Sequence, residues 1–193
     1  TMRNVTTLLI LSVLHFLLLS PSIAEESYNY TFEIVKCPKA PAKRLLSKKD
    51  WKQFLNKSGA VELENIQGVA RNDKYSLVFE GVKNPISYKD PRAGGYQVQY
   101  TDLGLKVDIK IKNQNDGSLF VESRGDRSVA APIPEHPERS SVMIYESGVT
   151  MKRGQSVVAA SAKGFMNVKY LKDHFPDISV SESDYLMMVI TVE

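Results

Sequence analysis

Apolar and polar residues alternate without a break over residues 103–111. Leu103, Leu105, Val107, Ile109 and Ile111 fall on one side, and Gly104, Lys106, Asp108 and Lys110 on the other. Successive side chains of a strand point to opposite faces, so this stretch predicts a β-strand with one dry face. Shorter runs carry the same signal. Residues 30–35 predict a strand ended by Pro38 and Pro41. Residues 60–66 set Val61 and Leu63 on one side and Glu62 and Glu64 on the other, residues 75–79 are aromatic and β-branched, and Tyr96, Val98 and Tyr100 alternate with Gln97 and Gln99. Turn chemistry at Asn72-Asp73 and over residues 113–117 joins these runs, the second turn pairing residues 103–111 with residues 118–122 as a hairpin. Residues 141–150, the turn at Lys152-Arg153-Gly154 and residues 155–160 predict another hairpin, and the apolar run 185–192 closes the pattern.

The period changes once. Ser47 is placed to cap a helix over Lys48–Ser58, Asp50 to answer it from the first turn, and Leu46 to pack on Trp51 as a hydrophobic staple. Trp51, Phe54 and Leu55 share one face, and Gly59 suits a left-handed end. Trp51 reads as the anchor that docks this helix on a sheet. Pro132, Pro134 and Pro137 mark a loop over residues 130–139; beyond residue 163 the pattern weakens, with a helical turn expected within residues 168–175, stopped by Pro176. The expected fold class is mainly β, bordering on α+β, with antiparallel sheets and hairpins and one short N-terminal amphipathic helix.

The first 24 residues read differently. Arg3 supplies a positive start, residues 5–19 are almost unbroken apolar, and Pro21-Ser22-Ile23-Ala24 ends in the small residues that a signal peptidase reads. Residues 1–24 are therefore expected to be a secretory signal peptide, removed after Ala24, leaving residues 25–193 as a single β-rich domain of ordinary size. Export places the mature chain in the periplasm or outer membrane, or secretes it. Cys37 is the sole cysteine, so no intrachain disulfide can form; it is expected part-buried beside Pro38, with intermolecular pairing the alternative. The 193 residues carry 25 Lys and Arg against 22 Asp and Glu, a slight basic excess read as dispersed, which disfavours nucleic acid as a partner. The basic cluster between Lys39 and Lys52 reads as a solvated helix-entry face ahead of a lipid or nucleic-acid patch.

Catalytic chemistry is scarce. His136 and His174 lack the spacing of a metal helix or a Cys/His site, Gly94-Gly95 and Gly154 are turn glycines without a phosphate-loop context, and no G-x-S-x-G elbow exists. The Glu62 and Glu64 pair reads as the wet face of a strand rather than an acid-base pair. No catalytic, cofactor-binding or metal-binding residue is expected, no cofactor is implied, and the chain is not expected to be an enzyme.

Four segments in order carry a family resemblance. Residues 101–109 followed by Asp116-Gly117-Ser118-Leu119-Phe120-Val121 look like the strand pair of secretin C-terminal domains. Residues 149–158, with Arg153-Gly154-Gln155-Ser156-Val157-Val158, are similar to that family's Gly-Gln hairpin, and residues 184–191 to its closing strand. Residues 45–66 resemble the opening of secretin-like envelope proteins. The departures are Ala160-Ser161 where the family has Gly-Gly-Leu, and the lack of a Pro-Gly-rich stretch in residues 164–183. The resemblance implies a diverged, stand-alone secretin-like structural or assembly module tied to protein secretion, with protein partners in the cell envelope, further copies of the chain among them, and outer-membrane association open. The competing class is a monomeric secreted or periplasmic β-domain whose strand from Tyr96 to Tyr100 meets a protein or ligand. The apolar side of residues 103–111 is expected to pack on a soluble core, because most other strands read as shorter than the roughly 9 to 11 residues of a barrel strand. Lys106, Lys110 and Lys112 charge one face of that strand, whereas Val157-Val158-Ala159 has no guarding charge, so the pairing edge is expected at the second hairpin.

Overall fold

The computed structural model describes residues 25–89, 92, 94–130, 140–163, 172 and 174–193. The signal segment 1–24, the loop interior 131–139 with His136, and most of residues 168–175 lie outside them. In chain order the elements are β1 (Ser27–Cys37), β2 (Leu45–Ser47), α1 (Lys48–Ser58), β3 (Val61–Arg71), β4 (Tyr75–Lys89), β5 (Tyr96–Asn113), β6 (Leu119–Ala130), β7 (Ser140–Met151), β8 (Gln155–Lys163) and β9 (Tyr185–Val192). They form two antiparallel sheets, one ordered β2-β8-β9-β1-β3 and one ordered β4-β5-β6-β7.

The layers follow from the side-chain periods. One core cluster lies between the sheets, where Tyr30, Phe32 and Ile34 of β1 meet Val107, Ile109 and Ile111 of β5 and Leu119 and Val121 of β6. Phe32 stacks on Tyr145 of β7 at 5.4 Å between ring centroids, tying the two sheets together. A second cluster lies on the far side of the five-stranded sheet, where Val35, Cys37, Val158, Met187 and Val189 receive Trp51. Strand β9 is covered on both sides, Leu186, Met188, Ile190 and Val192 facing the other sheet and Met187 and Val189 facing the helix. That is why it reads as an unbroken apolar run, whereas β5, covered on one side, alternates.

Helix α1 forms as its sequence predicts. Ser47 Oγ accepts from the Asp50 backbone N–H at 3.0 Å and donates to the Asp50 carboxylate at 2.7 Å, while Gly59 ends the helix at φ 69°. Trp51 is 2% exposed and its Nε1–H donates to the buried carboxylate of Glu33 on β1 at 2.7 Å. Burial pushes the Glu33 carboxyl above its ordinary range; the Trp51 donor opposes this and the nearby Glu62 adds to it. Cys37 is fully buried beneath the helix, deeper than its sequence context suggests.

Three further expectations are corrected. Strands are longer than their local patterns: β5 runs unbroken from Tyr96 to Asn113, β4 continues through Pro85 to Lys89, and β3 and β6 extend to Arg71 and Ala130. Strand length therefore no longer argues for a core over lipid, although Leu105, Val107, Ile109 and Ile111 are in fact packed in the core. The alternation over residues 60–66 fails because β3 carries a bulge, Ile34 pairing with Glu64 but Val35 with Glu62, so Leu63 is the extra residue. The bulge sends Glu62 toward the helix side and Glu64 between the sheets, and leaves Val61 exposed. The basic excess is also not dispersed: residues 38–58, which comprise α1 and the loop and short strand that lead into it, hold seven basic residues and one acid.

Among the described residues no helix is long and apolar enough to cross a membrane.

Candidate functional site

A strand at the end of a sheet presents unpaired N–H and C=O groups, and pairing with another chain satisfies them. The expected pairing edge at Val157-Val158-Ala159 is not one. Strand β8 lies between β2 and β9, and Val158 is buried under α1. Where β2 ends, Arg44 takes over: its backbone carbonyl accepts from Val158 N–H at 2.8 Å, and its guanidinium donates to the carbonyls of Val158 and Ala159 at 2.6 and 2.7 Å. The register shift between Val158 and Ala160 displaces these carbonyls from a regular ladder, and a planar fork of donors suits them.

The five-stranded sheet ends in β3, and the four-stranded sheet has a long outer strand on each side, β4 and β7. The inward side of the four-stranded sheet is core. Its outward side is a grid of opposite charges set by register, with Lys106 opposite Asp126, Asp108 opposite Arg124, Lys110 opposite Glu122, and Arg124 opposite Glu146. Arg124 reaches Asp126 and Glu146 at 3.3 Å each, and Lys110 reaches Asp73 at 2.9 Å. Beside the grid, the β4 edge carries Tyr75, Leu77 and Phe79, the first 65% and the second 57% exposed. Tyr75 Oη donates to Glu122 at 3.3 Å over an open depression of about 620 Å³ that also borders Gly148.

Strands β4 and β5 continue past this sheet as a two-stranded arm, because β6 pairs with β5 only from Gly104 onward. At the root of the arm Gly81 and Gly104 stand opposite each other. Gly104 has φ 137°, and a Cβ on either glycine would overlap the partner strand's backbone, the Glu80 carbonyl in one direction and the Leu103 carbonyl in the other. Along the arm Tyr96, Val98, Tyr100 and Val82 are between 54% and 80% exposed. A lone two-stranded ribbon is marginal in water, and contiguous exposed apolar side chains mark a surface that meets something. Gly94, at φ 66°, turns the tip, in keeping with its reading as a turn glycine; Gly154, at φ 75°, does the same between β7 and β8.

Glu64 and Arg127 bridge the sheets near the arm's root at 2.7 Å, and the guanidinium lies 4.5 Å from the centre of the Phe175 ring. Burial pushes the Glu64 carboxyl up while Arg127 pulls it down. Among the described residues no three His, Cys, Asp or Glu side chains gather as a metal site would require. His174 is buried beside Phe175 rather than presented to a ligand.

The sequence signals missed at this site were present but weak. Gly104 inside an alternating run is the mark of a bend or close backbone approach, and Pro85 inside a strand confines that strand to an edge.

In fold the chain is similar to solved structures of secretins. The secretin-domain β-barrel of InvG from the Salmonella SPI-1 injectisome matches with a TM-score of 0.52 at 8% identity, over 95% of this chain and 67% of that one. GspD in the pilotin–secretin complex AspS-GspD of ETEC matches at 0.53 and 10%, over 95% and 52%. The type II secretin GspD of enteropathogenic Escherichia coli matches at 0.54 and 11%, over 95% and 73%. The chain thus spans between about half and three quarters of these proteins, and at such identities the likeness is one of fold. No protein-family model matches the sequence, and no curated protein does.

Proposed function

We propose that this protein is a non-enzymatic, secretin-like assembly module of the cell envelope, exported on residues 1–24 and tied to protein secretion. The four-stranded sheet serves as a wall segment, and β4 and β7 pair with protein partners, further copies of the chain first among them, so that one ladder continues into the next. The observation that carries this reading is the pair of long open edges on a sheet whose inner side is core and whose outer side is charged. The fold likeness to InvG, part of an injectisome, and to GspD, a type II secretin, supports it. On this reading the protein works in the periplasm or at the outer membrane.

Sedimentation of the protein with and without membranes tests it. Wild type is expected to form larger species, and Leu77→Lys with Ile144→Lys, which place a charge at each open edge, are expected to shift them to monomer without changing the melting midpoint. A monomer at every accessible concentration, with no complex in envelope extract, overturns the assembly reading. It would leave a secreted binding module that uses Tyr96, Val98 and Tyr100, a reading favoured by the exposure of that strip.

A further inference from the structure

The layer that covers the far side of the five-stranded sheet is unlike the rest of the molecule in charge. Between residues 38 and 58 Asp50 is the sole acid, and the segment has a net charge of +6, so the remainder of the chain is net −3. Three basic groups in or beside this layer are engaged: Arg44 by the Val158 and Ala159 carbonyls, Lys48 by Glu193, and Lys36 by Asp184 and the Ser179 carbonyl. Lys39, Lys43, Lys49, Lys52 and Lys57 are exposed and form no ion pair among the described residues. The apolar side of α1 is committed to the core through Trp51, Phe54 and Leu55, so its lysines stand on the opposite, outward side.

We propose that this lysine layer is a docking surface for an anionic lipid bilayer. Five ammonium groups on the outside of a helix and its entry loop offer spread positive charge without the planar forks that recognise single carboxylates, which suits a field of headgroups better than an acidic protein. Docking is by adsorption, because α1 has no free apolar side to insert, and it is therefore strongly sensitive to salt. The surface lies on a different layer from β4 and β7, so this inference goes beyond the assembly reading and stands or falls separately from it.

The test is flotation of the full chain with vesicles of phosphatidylcholine alone and of an equimolar mixture with phosphatidylglycerol, read as the ratio of the two partition coefficients. Any attachment that does not depend on charge cancels in that ratio. At roughly fivefold per lysine, Lys49→Gln with Lys52→Gln should lower the ratio by about 25-fold, and added salt should do the same in wild type. Lys112→Gln with Lys172→Gln, which removes equal charge elsewhere, should change it by less than about twofold. Equal partition on both vesicles, or a ratio unchanged in the first variant, overturns the proposal. Binding that goes to soluble polyglutamate in preference to anionic vesicles also overturns it, in favour of an acidic protein.

Discussion

Strand β9 and the arm of β4 and β5 are both rich in apolar residues, yet their surroundings are opposite. In β9, Met187, Val189, Ile190 and Val192 are buried to 6% exposure or less, because a sheet covers one side and α1 the other. In the arm, Tyr96 is 80% exposed and Tyr100 64%, because β6 pairs with β5 only from Gly104 onward and, among the described residues, no layer covers these side chains. The pattern within a strand does not decide its burial; the number of layers beside it does. In the helix-covered half the apolar residues are enclosed by the chain's own layers, whereas the arm and the edges beside it carry apolar surface that a partner would cover.

The sharpest way to break this contrast is at its covered end. Trp51→Ala should destabilise the fold by about 3–5 kcal/mol, since it opens a cavity and leaves the buried Glu33 carboxylate without its donor. A denaturation midpoint near wild type would show that the helix layer is not held as described. At the arm's root, Gly104→Ala should cost about 1–3 kcal/mol, because φ 137° and the Glu80 carbonyl leave no room for a Cβ, whereas Gly95→Ala near the tip should fall within about 0.5 kcal/mol of wild type. Equal thermal midpoints for the two would remove the glycine pair from the argument.

The smallest expected effect depends on pH. Burial holds the Glu33 proton to higher pH in the folded chain than in the unfolded one, whose value is near 4.5. The folded state therefore binds more protons over that interval, and this group's contribution to stability declines as pH rises from the unfolded value through the folded one. Glu33→Gln keeps an acceptor for Trp51 and cannot ionise. It should raise the melting midpoint at neutral pH relative to wild type and lose that advantage below pH 4.5. The same difference at both pH values would show that the carboxyl is not perturbed by burial.

Much of the fold was legible because its signals are local. The Ser47 cap, the Gly59 stop, the face of Trp51, Phe54 and Leu55, and the turn glycines each depend on neighbours within a few residues. The mainly β class followed from the period-two runs, and the order of hairpins from their turns. What was misread depends on partners far along the chain. Whether Val158 lies at an edge is decided by Arg44, and the side to which Glu64 points is decided by a bulge against β1. The continuity of β5 through Gly104 depends on Gly81 in the facing strand, and the acceptor for Trp51 lies on β1 rather than on the helix. The site itself was legible only as a class of surface: Tyr96 and Tyr100 were singled out, but the edges that matter most, β4 and β7, are properties of strand order.

That order also sets a schedule. In the five-stranded sheet β9 fills the place between β8 and β1, and its register pairs Tyr30 with Val192 and Cys37 with Tyr185. As the chain is made, β1 can pair early with β3 on one side, but its other side waits for nearly everything else before β9 arrives. Pairings of such sequence separation form late and slowly, since the loop must close before the contact repays it. A chain built this way closes its five-stranded sheet with the strand that is made last, so the helix-side core that needs Met187 and Val189 cannot be completed before synthesis is nearly over.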